Sequence, residues 1–160
     1  MFKEHNYYFI EEPFKRNFMY YKILENIKTK INIAGGEHIN NIQQFYKWNK
    51  KGYFNFFQPD TNLMLFSEIN LMINKIGFEK IILHNWCNKI NFLSNINFAF
   101  SLKKKNLIKK NIIPNPYDYF FDTEKRGVKN GKIDFKDVMG YGLSIKNSKK
   151  QNLEIYEKKL

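Results

Sequence analysis

The sequence predicts an α/β fold in which parallel β-strands alternate with α-helices. Short apolar or aromatic runs are each followed by a longer segment whose apolar residues recur at helical spacing. Gly52 and Gly77 stand directly after two of these helical segments, where a glycine commonly ends a helix. Repeated strand–helix units of this kind are typical of parallel sheets with right-handed crossovers.

Four strand–helix units follow one another along the chain. After them the pattern weakens, with a possible fifth strand at 107–113, a turn at Pro114-Asn115-Pro116 and a possible edge strand at 132–135. The predicted domain spans 1–145, and 146–160 is a polar tail. The predicted strands of the four units are 7–10, 31–34, 53–57 and 80–83, and the helices that follow them are 18–27, 42–48, 65–76 and 90–100.

Length and composition limit the fold to part of a barrel. The chain has 160 residues and 43% hydrophobic residues, enough for one domain with a core. A complete eight-stranded barrel needs about 250 residues. We therefore expect half a barrel, with four or five parallel strands, helices on the outer face and a C-terminal extension.

The sequence also indicates a cellular setting. No apolar run approaches the roughly 18 to 20 residues of a membrane span, and the first residues do not resemble a signal peptide. Cys87 is the only cysteine, so the chain cannot form an internal disulfide. A cytoplasmic protein without a membrane partner is expected.

The net charge of +12 raises the alternative of a basic nucleic-acid-binding module. The lysines are scattered along the chain, however, and Lys, Asn, Ile, Phe and Tyr are abundant together, as AT-rich codons would produce. A nucleic-acid partner is therefore the disfavoured interpretation.

Four ionisable residues fall where the predicted strands end. These residues are Glu11, Glu37, Asp60 and His84, spaced 23 to 26 residues apart, which is about one strand–helix unit. The carboxyl ends of parallel barrel strands open onto one face. The four side chains should therefore converge on a single mouth.

The motifs around these positions form an ordered set. They are Ile10-Glu11-Glu12-Pro13, Ala34-Gly35-Gly36-Glu37, Gln58-Pro59-Asp60 and Leu83-His84-Asn85-Trp86. Together they resemble the segments that close the fourth to seventh barrel strands in the mandelate racemase / muconate lactonizing enzyme family of the enolase superfamily. Weaker matches extend the resemblance to about residue 145. It implies the C-terminal half of a (β/α)7β TIM-like barrel, the enolase C-terminal domain-like fold.

The resemblance also implies an activity and a cofactor. The family removes a proton α to a carboxylate and stabilises the resulting enediolate with Mg2+. By resemblance, Glu11 and Glu37 are metal ligands, His84 is the general base or acid, and Asp60 hydrogen-bonds the far nitrogen of His84. The implied protein is the C-terminal fragment of an acid-sugar dehydratase or a racemase, with a small acid-sugar carboxylate as substrate.

Two further residues are candidates for substrate binding. The Glu37-His38 pair resembles that of rhamnonate dehydratase-like members, which favours dehydration over racemization. A polar loop role for His38 stays open. Trp86 follows His84 closely and is a candidate pocket residue, with core packing as the alternative.

The resemblance also predicts what this chain lacks. The family places its lysine base and first metal aspartate upstream of the Glu-Glu-Pro motif, and Lys109-Lys110-Asn111 stands where the family has a carboxylate near the eighth strand. We expect no dehydratase activity from the chain alone. An open half-barrel exposes two strand edges, so we expect a homo-oligomer or complementation by an upstream barrel half. A catalytically dead remnant or scaffold of the same fold is the alternative.

Overall fold

The protein is described by a computed structural model. Predictions for Cys87, the turn at 114–116 and the tail beyond Lys146 lie outside the described residues. The ranges that the structure describes are 7–26, 31–86, 89–102, 107–109, 121–123, 128–133 and 143–146.

The described part of the chain alternates strands and helices as predicted. Each predicted strand of the four units overlaps an observed strand, and its first or last residue lies within two residues of the observed end. The possible fifth strand begins with the observed strand Leu107–Ile108. The strands are β1 (Phe9–Glu11), β2 (Asn32–Gly35), β3 (Phe56–Phe57), β4 (Ile82–Leu83) and β5 (Leu107–Ile108), and the helices are α1 (Phe18–Tyr21), α2 (Ile23–Asn26), α3 (Ile42–Lys51), α4 (Phe66–Ile76) and α5 (Lys89–Ser101).

The five strands of the repeated units are parallel neighbours in chain order. β1 pairs with β2 and β2 pairs with β3. An isolated parallel bridge between Phe57 and Ile81 continues this order to β4, which pairs with β5. The α/β fold with parallel strands is thereby confirmed.

Local sequence accounts for the helix ends. The side chain of Asn41 accepts a hydrogen bond from the backbone N–H of Gln44 and so caps the start of α3. Gly52 ends α3 with φ 68, a left-handed conformation that glycine adopts readily, and Gly77 ends α4. Both predicted helix-ending glycines are confirmed.

The first predicted helix differs from the observed one. The segment 18–27 was expected to be continuous, but the structure breaks it at Lys22 into α1 and α2. The break coincides with the burial of Tyr21, whose hydroxyl donates to a carboxylate oxygen of Glu12 at 3.2 Å. The break therefore lies next to the residue that ties α1 to the loop after β1.

The sheet has two different faces, because successive strand residues point to opposite sides. On one face, Ile33, Phe57 and Leu83 belong to the main core, which also includes Phe45 of α3 and Ile69 of α4. On the other face, a smaller buried cluster contains Ala34, Phe56 and Ile82, with Phe9 packed against it. The helices therefore cover the outer face of the partial barrel.

Short antiparallel strands follow the parallel part. They are β6 (Phe121–Thr123), which pairs with β9 (Leu143–Ile145), and β7 (Val128–Lys129), which pairs with β8 (Lys132–Ile133). The predicted edge strand at 132–135 is thus present at 132–133, and its last two residues lie outside the described residues. No helix in the described ranges is long and apolar enough to cross a membrane.

Candidate active site at the carboxyl ends of the strands

The four predicted residues all line one open cavity of about 630 Å3. Glu11 is the last residue of β1, and Glu37, Asp60 and His84 follow β2, β3 and β4 within three residues. Since these strands are parallel, their carboxyl ends meet at the same edge of the sheet. The cavity is also lined by Glu12, Arg16, His38, Asn62, Leu63, Trp86 and Lys109.

His84 and Asp60 form a buried pair. His84 Nδ1 lies 2.9 Å from Asp60 Oδ2, and the two residues are 4% and 5% exposed. The backbone N–H of His84 donates to the carbonyl of Pro59 at 2.9 Å, which ties the two strand ends together. An ionised carboxylate can only accept, so this hydrogen bond is one that the Nδ1–H of His84 donates to Asp60.

Asparagine side chains surround this pair. Asp60 Oδ1 accepts from the backbone N–H of Asn62 at 2.8 Å and is 3.4 Å from the Asn91 amide nitrogen. Asn95 donates to the carbonyl oxygen of His84 at 2.7 Å. Asn91 and Asn95 belong to α5 and are buried, so this helix fixes the pair from behind. Hydrogen bonds to the backbone of Asn62 and to two amides of α5 therefore orient the pair.

The second nitrogen of His84 faces Glu37. Nε2 lies 2.9 Å from Glu37 Oε2, yet it has no hydrogen-bond partner of proper alignment among the described residues. The two atoms are therefore close to each other, but their alignment does not make a hydrogen bond. His84 lines the cavity, and its second ring nitrogen therefore lies beside a candidate metal ligand, Glu37.

Glu11, Glu37 and His84 bring three potential ligand atoms within 4.8 Å of one another. Glu11 Oε1 accepts from Gln58 Nε2 at 3.1 Å. Two carboxylates on neighbouring strands supply the oxygen donors that a hard cation such as Mg2+ requires, whereas an imidazole nitrogen suits it less well. The two glutamates therefore fit the divalent cation that the sequence implied.

The contacts of Glu12 differ from those of Glu11. Its backbone is left-handed, with φ 41, and its Oε1 accepts from the backbone N–H of Gly36 at 2.7 Å. Its other oxygen accepts from the hydroxyl of Tyr21. Burial, and then the Glu12 carboxylate, raise the pKa of Tyr21. Glu12 thus braces the loops beside the cavity, while Glu11 joins the group of ligand atoms.

The two predicted substrate-binding residues also lie at the cavity. His38 Nε2 is 2.7 Å from Glu37 Oε1, and partial burial, then the Arg16 charge, lower the pKa of His38 against the opposing effect of Glu37. Trp86 is 62% exposed, so it does not pack in the core. Both side chains are placed where a ligand could contact them.

Sequence reasoning did not identify three cavity neighbours as functional. Arg16 donates to Glu37 Oε1 at 3.2 Å from the loop after β1, and Gln58 orients Glu11. Lys109 reaches Glu11 Oε1 at 2.5 Å. Of these three residues, only Lys109 could have been identified from the sequence, because it directly follows the strand β5, as His84 directly follows β4.

Comparisons with known proteins agree with this fold. A family model described as "Enolase C-terminal domain-like" matches residues 1–149. Among solved structures, the 3,6-anhydro-D-galactonate cycloisomerase from Zobellia galactanivorans matches with a TM-score of 0.78 at 18% identity, over 94% of this chain and 43% of that one. A mandelate racemase/muconate lactonizing enzyme-like protein from Rubrobacter xylanophilus matches with a TM-score of 0.70 at 17% identity, over 88% and 37%.

A third match is an enolase from Pantoea ananatis with bound D-gluconate and Mg. Its TM-score is 0.69 at 16% identity, over 89% of this chain and 35% of that one. The chain therefore spans less than half the length of each of these three proteins, and at such identities the likeness concerns the fold. No curated protein sequence matches the chain.

Proposed function

Because the chain belongs to the enolase C-terminal domain-like family, we propose that it is the C-terminal part of a Mg2+-dependent acid-sugar dehydratase or racemase. The proposed reaction begins with removal of a proton α to a carboxylate. The observation that carries the proposal is the meeting of Glu11, Glu37, Asp60 and His84 at one cavity. Three acids and one imidazole from four successive strand ends are suited to metal-assisted proton transfer.

Glu11 and Glu37 are the proposed ligands of the cation. Bound Mg2+ would offset the negative charge that develops when a carboxylate substrate becomes an enediolate. The two glutamates contribute anionic oxygens from β1 and from the loop after β2, and Gln58 holds Glu11 by a hydrogen bond at 3.1 Å. The enolase from Pantoea ananatis, with its bound D-gluconate and Mg, has the same fold.

His84 is the proposed proton carrier, with Nε2 as the reacting atom. In this proposal Asp60 keeps the proton on Nδ1, and a bound molecule would meet Nε2 beside Glu37, which this atom faces. From this position His84 can accept a proton from carbon and, once protonated, deliver it to a departing hydroxyl group. The same pair would serve racemization, so the preference for dehydration rests on the Glu37-His38 resemblance.

A small acid-sugar carboxylate is the proposed substrate class. The cavity of about 630 Å3 lies within the range of sites for small ligands. Acids outnumber Arg16 and Lys109 in the lining, so attraction of an anionic ligand would depend on the cation proposed at Glu11 and Glu37. His38 and Trp86 offer a polar and an aromatic contact.

The whole reaction is proposed to need groups beyond these 160 residues. The resemblance assigns a lysine base and a first metal aspartate to strands that precede β1, and these residues do not include them. We therefore expect no dehydratase activity from this polypeptide alone. An upstream barrel half that docks beside β1, at one end of the sheet order, would supply the missing strands, whereas self-association would only cover the open strand edges.

Magnesium titration of the wild-type chain and of Glu11→Gln and Glu37→Gln variants tests the metal site. Each substitution removes one anionic ligand, so binding measured by calorimetry should weaken by about tenfold or more, at least about 1.4 kcal/mol. Glu79→Gln is the matched control, because Glu79 is exposed and lies away from the cavity lining. Equal magnesium binding in all four proteins would identify the chain as a dead scaffold of the same fold.

A further inference from the structure

Lys109 places a positive charge between the two candidate metal ligands. Its backbone N–H donates to the carbonyl of Leu83 at 2.9 Å, which fixes the residue at the end of β5. Its Nζ lies 2.5 Å from Glu11 Oε1 and 4.0 Å from Glu37 Oε2. The Lys109 side chain is 25% exposed, so the charge is partly shielded from water.

We propose that the Lys109 ammonium is a built-in cation that competes with a divalent metal ion for Glu11. The inference rests on the proposed function, since it concerns the same carboxylates. Glu11 Oε1 already accepts from Gln58 Nε2 and from Lys109 Nζ, and a carboxylate oxygen has two lone pairs. A metal ion that used that oxygen would have to compete with these two donors.

Lys109 is the donor that can leave. Gln58 is 1% exposed and held in the protein interior, whereas the Lys109 side chain is long, flexible and reaches the cavity from its rim. The ring of Trp86 offers the displaced ammonium a cation–π contact, because Lys109 Nζ already lies 5.6 Å from the centre of that ring. Movement of the ammonium over this exposed ring would open Glu11 to a metal ion.

The charges around Glu11 also favour the replacement of the Lys109 ammonium by a divalent ion. Lys109 contacts Glu11 and Arg16 contacts Glu37, so two cations balance two carboxylates. A divalent ion that enters beside Lys109 meets a like charge at a few ångströms, an unfavourable interaction that ends when Lys109 moves outward. Divalent-ion affinity in this chain is therefore set by displacement of Lys109.

The first experiment is a Mn2+ titration of the full chain, followed by the electron paramagnetic resonance signal of free Mn2+. Lys109→Met should bind Mn2+ about tenfold or more tightly than the wild type, because the competing charge is gone. Lys109→Arg keeps the charge and should bind no more tightly than the wild type. Lys80→Met is the control for loss of an exposed lysine away from the cavity.

The second experiment uses the unmodified protein and does not depend on a variant that folds. The rate at which each lysine reacts with an acylating reagent is measured by mass spectrometry with and without Mn2+. Displacement from Glu11 should raise the Lys109 rate severalfold, while the rates of the exposed residues Lys75 and Lys80 stay constant.

The outcomes separate this inference from the proposed function. If Mn2+ binds the wild type in a Glu37-dependent manner, but Lys109→Met binds it equally and Lys109 labelling is constant, the competition is refuted and the metal site stands. If neither the wild type nor Lys109→Met binds Mn2+, the proposed metal site is wrong and the competition falls with it. Tighter binding by Lys109→Met together with metal-induced labelling of Lys109 supports both.

Discussion

Replacing Asp60 by Asn should reverse the proton position on His84. In the wild type, the carboxylate accepts the Nδ1–H of His84 at 2.9 Å. An amide at position 60 can keep its oxygen toward the backbone N–H of Asn62, now 2.8 Å from Asp60 Oδ1. Its NH2 group then faces His84 and needs an acceptor, so Nδ1 must lose its proton and Nε2 must gain one.

The size of the effect follows from burial and charge. Both side chains are almost fully buried, so water does not replace the lost bond. A hydrogen bond to a charged group contributes about 1.5–3 kcal/mol, and a new neutral bond from the amide would recover part of it. We expect Asp60→Asn to lower the free energy of unfolding by about 1–2 kcal/mol. In a complete enzyme, the wrong tautomer would lower turnover by a factor on the order of 10⁴, as in other histidine–carboxylate pairs.

Long-range 1H–15N NMR of the imidazole ring is the decisive assay, because it reports which ring nitrogen carries the proton. The wild type should show the Nδ1–H form at neutral pH and Asp60→Asn the Nε2–H form. A double-mutant cycle with His84→Gln, followed by urea unfolding, should give a coupling free energy of about 1 kcal/mol or more. The same tautomer in both proteins, or a coupling free energy of zero, would refute the assigned role of Asp60.

Three further predictions concern the framework around the site. The pKa of Tyr21 is raised above its ordinary value of 10.0 by burial and by Glu12, so the unfolded chain releases this proton first. The contribution of Tyr21 to stability should be constant below pH 10 and be lost above it, and Tyr21→Phe should flatten that alkaline fall in urea-unfolding series. Gly36→Ala should lower the free energy of unfolding by about 1 kcal/mol or more beyond the loss caused by Gly52→Ala, measured by chemical unfolding. Both glycines have a positive φ (94 and 68), but of the two only Gly36 has side chains close to an added Cβ, at 3.0 Å and 3.3 Å. Ile69→Ala should lower the unfolding free energy by about 2–5 kcal/mol, since Ile69 is fully buried in the core.

The fold was predictable because its signals are local and repeated. The apolar spacing of α3 and α4 and the glycines that end them identify whole elements within a few residues. The break at Lys22 was not predictable in this way. It accompanies the contact between Tyr21 and Glu12, which are nine residues apart and belong to different elements.

The candidate site was predictable to the extent that strand ends determine it. Regular spacing was enough to bring Glu11, Asp60 and His84 to one edge of the sheet, because each lies at or just after a strand end. The spacing could not show that Lys109 and Arg16 turn inward. Their side chains are long, and which carboxylate each one meets depends on rotamers and on neighbours that only the folded chain brings together.

The asparagines of α5 explain why the buried pair is already assembled. A helix that only covers the sheet would place apolar residues on its buried face, yet Asn91 and Asn95 are 2% and 0% exposed and lie one helical turn apart. One amide contacts Asp60 and the other holds the carbonyl of His84, so the helix that covers β4 also orients the site. Burying two amides in a core costs free energy unless they are hydrogen-bonded. Asn95 Oδ1 has no hydrogen-bond partner among the described residues, so this amide is only partly compensated. The polar face of α5 therefore costs stability and in return orients the His84–Asp60 pair.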